Sequence, residues 1–169
     1  MLIGLVSDTH DDLDAVESAV TFFEERGVDA VVHCGDFVAP FSATPFDADF
    51  AFHAVRGNND GEWALSTTVD EFGEYHGEAT VLEFDGTSLA VTHGTSDVVV
   101  DALVDCGDYD YVAHGHTHAH GIEVRGGTVR VNPGGLPIPV AGADDRFRVA
   151  TLDTDGEAAD AVAHHVLDG

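Results

Sequence analysis

Residues 2–10 read LIGLVSDTH, an unbroken apolar run that ends in four polar side chains. A short apolar run of this kind is typical of a β-strand that is buried on both faces. Asp11 or Asp12 is placed to cap a following helix, and Gly27 is placed to end it. The apolar residues between them, which are Leu13, Val16, Ala19, Val20 and Phe23, recur at helical spacing and predict a helix.

Further apolar runs at residues 29–33 and 50–55 are interpreted as buried strands. A strand, a helix and a strand in this order are typical of a βαβ unit and therefore of an α/β fold. A hairpin is predicted around Asp85-Gly86-Thr87, between strands at residues 80–84 and 88–92. The remaining pattern predicts a helix at 96–104 and strands at 109–113, 120–124, 128–131, 147–152 and 161–166. Together these elements predict two sheets face to face with helices outside, in one domain over residues 1–169.

The charge balance limits the classes of partner. The chain has 169 residues, with 32 acidic residues against 6 basic ones and a formal net charge of -26. A surface this negative repels phosphate backbones, so no nucleic-acid partner is expected. The 44% of hydrophobic residues argues against disorder. Because such a charge destabilises a compact state unless salt screens it, we hypothesise a protein from a high-salt, halophilic cytosol.

The chain shows no signal that would place it in a membrane or outside the cell. No apolar run approaches the roughly 18–20 residues of a membrane span. No basic segment precedes the first apolar run, so we expect a cytoplasmic protein without a membrane partner. Cys34 and Cys106 lie far apart and form no CxxC motif. Both are expected to be reduced and buried in the core, with a disulfide as the alternative.

Five predicted strands end in the same way, with polar side chains that can bind a metal ion. The ends of parallel strands in an open α/β sheet form a ligand-binding crevice, so we expect these five ends to converge. Their carboxylate, imidazole and amide groups suit a pair of divalent ions such as Mn²⁺, Fe²⁺, Zn²⁺, Co²⁺ or Ni²⁺ better than Mg²⁺ alone. The alternative, a set of turn and cap residues, leaves four histidines beside three oxygen donors unexplained. The segments are Ser7-Asp8-Thr9-His10, His33-Cys34-Gly35-Asp36, Arg56-Gly57-Asn58-Asn59-Asp60, His93-Gly94 and His114-Gly115-His116-Thr117-His118.

These segments, together with Asn132-Pro133-Gly134, occur in an order that resembles the calcineurin-like metallophosphoesterases. The small phosphodiesterases of the YfcE type, related in fold to the retromer subunit Vps29, are the most similar group. The resemblance implies a four-layer αββα sandwich of two mixed β-sheets. It also implies two divalent metal ions, with Mn²⁺ as the first expectation and Ni²⁺, Zn²⁺, Fe²⁺, Co²⁺ and Mg²⁺ left open. The ligands it implies are Asp8, His10 and His118 for one ion, Asn58, His93 and His116 for the other, and Asp36 as the bridge.

One position departs from the family pattern. Many larger members carry a histidine that protonates the leaving group, whereas this chain has Asn59, which is not an acid but is placed to contact a phosphate oxygen. The resemblance therefore implies hydrolysis of small phosphodiesters by a metal-activated water, and the missing histidine implies either a weaker enzyme or one that prefers good leaving groups. A phosphomonoesterase or nucleotidase and a Vps29-like interaction module with little activity are the alternatives.

Some residues outside the clusters are given structural roles. His53 alternates with apolar residues in a predicted strand and is expected in the core or half-exposed, whereas His76 is expected on the surface. Asp60 is interpreted as a turn or cap residue. Phe41, Phe46 and Trp63 are candidates for an exposed lid or interface, and the existence of a homo-oligomer is left open. The expected partner is a small phosphoester substrate, with a second copy of the chain as a possible one.

Overall fold

The computed structural model describes residues 1–61 and 63–167. Three helices and eleven strands alternate along this part of the chain, joined by short 3₁₀ turns. The elements are β1 (Leu2–Val6), α1 (Leu13–Arg26), β2 (Ala30–His33), β3 (Ala51–Ala54), α2 (Trp63–Val69), β4 (Glu74–Tyr75), β5 (Ala79–Phe84), β6 (Thr87–Thr92), α3 (Asp97–Asp105), β7 (Tyr111–Ala113), β8 (Gly121–Arg125), β9 (Thr128–Asn132), β10 (Arg148–Asp153) and β11 (Val162–Val166).

The strands form two mixed sheets. The first has the order β11-β10-β1-β2-β3-β4 and the second the order β5-β6-β7-β9-β8. Strands β1 to β4 run parallel, and so do β6, β7 and β9. Strands β10, β11, β5 and β8 pair antiparallel with their neighbours. Each sheet therefore has a parallel centre, and the carboxyl ends of its central strands share one side.

Apolar contacts arrange the elements in four layers. The two sheets pack against each other through aliphatic side chains such as Leu5, Val32 and Val91. On the outer face of the first sheet, α1 and α2 bury apolar side chains such as Phe23 and Leu65. Helix α3 covers the outer face of the second sheet. Because each sheet buries both faces, its parallel strands have the continuous apolar sequences that the α/β fold requires, and the predicted αββα sandwich of two mixed sheets is confirmed.

Local signals in the sequence set the ends of the elements. The Asp12 carboxylate accepts a hydrogen bond of 3.0 Å from the Ala15 amide and begins α1, and Gly27 ends it in the left-handed conformation. The hairpin between β5 and β6 turns at Asp85 and Gly86, whose φ angles are 51° and 84°. Two consecutive positive φ angles are typical of a type I′ turn, which matches the twist of the flanking strands.

Several local expectations were wrong. Phe46 is fully buried and stacks on Phe52 with ring centroids 4.8 Å apart, so it is a core residue and not part of a lid. Cys106 is exposed, because it follows the last buried turn of α3, whereas Cys34 is buried as expected; both are free thiols. Helix α2 and the two-residue strand β4 were not predicted. Trp63, the first residue of α2, is 81% exposed.

Within the described ranges, no helix has the length and apolarity that crossing a membrane would require.

Candidate metal centre

The predicted metal-binding residues follow the carboxyl ends of strands from both sheets. Asp8 lies two residues after β1, and Asp36 and Asn58 lie in the loops after β2 and β3. His93 follows β6 directly, His10 shares the loop after β1 with Asp8, and the loop after β7 carries His116 and His118. Since the sheets pack face to face, these loops meet at one edge of the sandwich.

Asp8 lies at the centre of this edge and is fully buried. Its Oδ2 atom accepts hydrogen bonds from the Ser7 hydroxyl at 2.6 Å and from the His116 amide at 2.9 Å. Within residues 1–61 and 63–167, its Oδ1 atom has no hydrogen-bond partner and lies 3.4 Å from Nε2 of His118. Burial raises the pKa of Asp8, although His93 and the Ser7 hydrogen bond oppose that shift. An orphaned carboxylate oxygen at this position fits a cation as its missing partner.

Two histidines are oriented from behind by backbone carbonyl groups. Nδ1 of His93 lies 2.8 Å from the Cys34 carbonyl, and Nδ1 of His118 lies 2.7 Å from the Leu136 carbonyl. A carbonyl only accepts, so each Nδ1 donates, and in the neutral form of each ring the lone pair of Nε2 is directed into the site. Metal-binding histidines are typically held in this way. The Nε2 atom of His10 lies 3.2 Å from Nε2 of His118, so the two rings converge on the same space.

Asp36 joins the two halves of the cluster. Its Oδ2 atom lies 3.3 Å from Nε2 of His93 and 3.7 Å from Nε2 of His10. Asn59 donates to this carboxylate twice, from its backbone amide at 2.8 Å and from its side chain at 2.7 Å. Burial alone would raise the pKa of Asp36, but the interactions with His93 and Asn59 outweigh it and hold the pKa below the usual range. The side chain thus stays an anion.

The loop that carries Asp36 is fixed by a second carboxylate. Asp60 accepts hydrogen bonds from the backbone amides of Asp36 at 3.0 Å, Val38 at 2.8 Å and Gly57 at 2.7 Å. It has no direct part in the cluster, in agreement with its interpretation as a turn residue. Instead it ties the loop after β2 to the loop after β3.

The ligand atoms fall into two groups whose members lie within 4.8 Å of one another. One group is Asp8, His10 and His118, the set implied for the first ion, and the other is Asp8, Asp36 and His93. Asp8 is common to both groups, whereas the resemblance assigned the bridge to Asp36.

Two predicted ligands stand at the margin of these groups. Asn58 lies beside the second group, with its Oδ1 atom 3.1 Å from Nε2 of His93. His116 belongs to neither group among the described residues, although its ring centroid is 5.2 Å from that of His93. Six of the seven predicted ligands thus have a ligand atom within 4.8 Å of a ligand atom of another predicted ligand. The ring of the seventh, His116, lies next to them.

Glycines make room for the carboxylates. A Cβ atom on Gly115 would collide with the Ser7 hydroxyl and the Asp8 carboxylate, and one on Gly57 would collide with Asp36. A Cβ on Gly135 would lie 2.6 Å from Cβ of Asp8. At these three glycines the space next to the acids is therefore too small for a side chain.

The turn at residues 132–136 contributes more than the sequence indicated. The Leu136 amide donates to the Asp8 carbonyl at 3.2 Å, so this turn lies against the site. Its Leu136 carbonyl, which orients His118, was missed because a backbone acceptor leaves no signature in side-chain chemistry. The Asn132 side chain holds this turn against the loop after β7 by donating to the Gly115 carbonyl at 3.0 Å.

A cavity of about 380 Å³ opens beside Asn58 and His93. Arg56 and Glu78 line one wall and form an ion pair of 3.2 Å, and Thr95 and Val99 belong to the lining as well. The cavity thus offers both polar and apolar surface next to the cluster of carboxylates and imidazoles, as expected of a small-molecule site.

The model of the calcineurin-like phosphoesterase superfamily domain matches residues 1–157, and the chain belongs to this superfamily. The phosphodiesterase MJ0936 of Methanocaldococcus jannaschii is 35% identical over 138 residues, which cover 79% of this chain and 83% of that protein. The probable metallophosphoesterase YsnB of Bacillus subtilis is 26% identical over 161 residues, covering 92% of this chain and 86% of its own.

Solved structures agree with this assignment. A structurally and functionally characterised archaeal phosphodiesterase superposes with a TM-score of 0.88 at 32% identity, covering 99% of this chain and 100% of that chain. The phosphoesterase YfcE from E. coli gives 0.68 at 22% identity, covering 99% of this chain and 100% of its own. Vps29 of Entamoeba histolytica in complex with zinc gives 0.61 at 18% identity, covering 98% of this chain and 97% of that chain. The last two likenesses concern the fold alone.

Proposed function

We propose that this protein is a metal-dependent phosphodiesterase that hydrolyses small phosphodiesters. The observation that carries the proposal is the buried Asp8 carboxylate. Its Oδ1 atom has no hydrogen-bond partner among residues 1–61 and 63–167, is surrounded by imidazole nitrogens and lies close to the Asp36 carboxylate. The similarity to a phosphodiesterase at 35% identity supports the same activity.

The residues present fit a pair of divalent ions. We propose as ligands Asp8, His10, Asp36, Asn58, His93, His116 and His118, with Asp36 as the bridge. Divalent ions, when bound, supply an activated water nucleophile and positive charge that offsets the charge developing on phosphorus. We propose Mn²⁺ as the physiological ion, since imidazole and carboxylate donors suit Mn²⁺ and its neighbours in the first transition row.

The chain's own residues position these groups and the substrate. The carbonyl groups behind His93 and His118 hold their rings in one tautomer, and His93 together with Asn59 keeps Asp36 ionised. Asn59 has no proton to give to a leaving group, so the enzyme would favour esters whose leaving group is already a weak base. We further propose that the side-chain amide of Asn59 contacts a phosphate oxygen of the bound substrate.

The cavity next to Asn58 and His93 is the place where the ester group of the substrate would lie. Its volume of about 380 Å³ admits a small molecule. Arg56 contributes positive charge to its wall, although the ion pair with Glu78 offsets that charge. With a formal net charge of -26, the rest of the surface would repel a polyanion, which favours a small phosphodiester over a nucleic acid.

The experiment compares hydrolysis of bis-p-nitrophenyl phosphate and p-nitrophenyl phosphate with added Mn²⁺ in molar KCl. We expect faster hydrolysis of the diester, and we expect Asp36→Ala to abolish it and to lower the metal content. Asp155→Ala, in the exposed turn after β10, is the matched control and should behave as wild type. Faster hydrolysis of the monoester would favour the phosphomonoesterase alternative. No turnover of either ester by metal-loaded protein would leave an interaction module on the same fold.

Three broader interpretations belong to the same proposal. Residues 1–169 form one catalytic domain that works in the cytoplasm. The excess of acidic residues adapts the protein to high salt, because screening by molar salt relieves the repulsion among them. The exposed Trp63 and Phe41 side chains, 81% and 52% exposed, are the surface on which a homo-oligomer would form.

A further inference from the structure

A second cluster of potential metal ligands lies at the edge of the first sheet, outside the centre described above. His53 is in β3, Glu74 is in β4, and the two residues are paired in the parallel register. His76 follows β4 and donates its backbone amide to the Ala54 carbonyl at 2.9 Å. One ligand atom from each of His53, Glu74 and His76 lies within 4.8 Å of the other two.

The spacing of the two imidazoles is that of ligands on one ion. Nδ1 of His53 and Nε2 of His76 are 3.2 Å apart. Two nitrogens bound tetrahedrally to zinc at about 2.0–2.1 Å would be roughly 3.3 Å apart. The rings are nearly parallel, at 25°, with centroids 5.4 Å apart.

The cluster combines a half-buried imidazole with an exposed carboxylate. His53 is half-buried, and its ring centroid lies 5.9 Å from that of Phe84. Burial lowers the pKa of His53, with Glu74 opposing the shift. Glu74 is exposed and supplies negative charge at the open side. The alternative interpretation is a hydrogen bond between the two imidazoles without any metal. It would explain the 3.2 Å between their nitrogens, but not why the Glu74 carboxylate lies within 4.8 Å of both.

We propose that His53, Glu74 and His76 form a separate binding site for a borderline divalent ion, with Zn²⁺ as the best match. Two imidazoles and one carboxylate are a common zinc donor set, and a water completes the tetrahedron. No ligand is shared with the candidate catalytic centre.

The bound ion would stabilise strand β4, which has few contacts of its own with the sheet. Strand β4 has only two residues and holds its place through two pairs with β3. The chain continues from His76 to Gly77, whose carbonyl accepts from the Arg56 amide at 2.7 Å, and then to Glu78 in the wall of the cavity. A metal that links β4 to β3 would therefore stabilise the segment that forms this wall.

The test is the uptake of Zn²⁺ by wild type and by two variants, measured by elemental analysis after dialysis, together with the Zn²⁺-induced rise in Tm. We expect His76→Gln and Glu74→Gln to bind one equivalent less than wild type and to lose part of the rise in Tm. Glu83→Gln, an exposed glutamate on β5, is the matched control and should equal wild type.

Diester hydrolysis by the same variants tests the proposed function separately, because none of the three residues belongs to the proposed catalytic centre. If His76→Gln does not fold, the exposed Glu74→Gln substitution decides alone. Equal zinc content and an equal rise in Tm for wild type and the folded variants would overturn the proposal. That result would leave the phosphodiesterase activity unaffected.

Discussion

Substitution of Asp60 tests how far the metal centre depends on a residue that holds its loops in place without being a proposed ligand. Asp60 is 5% exposed and accepts three backbone hydrogen bonds, from Asp36 at 3.0 Å, Val38 at 2.8 Å and Gly57 at 2.7 Å. Each bond to a charged acceptor contributes roughly 1.5–3 kcal/mol, so the three together amount to about 4–9 kcal/mol before the loops relax. Because water and loop movement recover part of this, we expect Asp60→Ala to lower the free energy of unfolding by about 3–5 kcal/mol.

The same substitution should weaken metal binding although Asp60 is not among the proposed ligands. Releasing the Asp36 amide allows the Asp36 carboxylate to move, and the loss of such a supporting contact typically costs roughly 10–100-fold in metal affinity. The free energy of unfolding is measured by urea unfolding in molar KCl, after a chelator has removed bound metal. The Mn²⁺ affinity is measured by calorimetric titration.

The matched control for this prediction is Asp110→Ala. Asp110 also clamps a backbone, since its Oδ2 atom accepts from the Ser88 amide and hydroxyl, each at 2.8 Å. It precedes β7, at the end of that strand remote from the proposed ligands. This control should lose some stability and keep its Mn²⁺ affinity. An unchanged free energy of unfolding and unchanged Mn²⁺ affinity for Asp60→Ala would refute the reasoning.

Three further predictions follow from the same structure. Gly115→Ala should lower the free energy of unfolding by about 1–3 kcal/mol and lower the metal content, because its Cβ would collide with the Ser7 hydroxyl. Urea unfolding and elemental analysis measure the two effects. Gly121→Ala is the control and should behave as wild type, since a Cβ there meets no described atom within 4 Å outside its two chain neighbours. The hydrogen bonds from the Ser88 amide and hydroxyl hold the pKa of Asp110 below its usual value, so they stabilise the fold above about pH 4 and lose that effect as the pH falls through the folded-state pKa. The difference in free energy of unfolding between wild type and Asp110→Ala should therefore narrow in acid, and a constant difference would contradict this. Finally, the Tm should fall when molar KCl is replaced by low salt, since the formal net charge of -26 is then unscreened; an equal Tm in both would exclude the adaptation to salt.

Elements with a strong local period could be predicted from the sequence. The apolar run of β1, the helical spacing of α1 and the Asp85-Gly86 turn each depend on a few neighbouring residues. The metal-binding loops could be predicted as well, because an apolar strand that ends in Asp or His leaves a visible change in the sequence. Strand ends are also the points at which an α/β fold gathers polar groups.

Elements that depend on distant partners could not be predicted in this way. Phe46 is apolar in a loop, and only its packing on Phe52 makes it a core residue. Strand β4 is two residues long and exists through its pairing with β3. His53 and His76 looked unrelated because 22 residues separate them, and their 3.2 Å contact arises only when β4 joins the sheet.

By itself, the sequence determined which side chains are available for metal chemistry and which strand ends carry them, because these depend on residue identity and local period. The tertiary structure alone decided how close they come to one another. It also decided that the Leu136 and Cys34 carbonyls orient His118 and His93. These relations join segments far apart in the chain, and they are set by sheet register and by the packing of two sheets, which no local pattern of residues records.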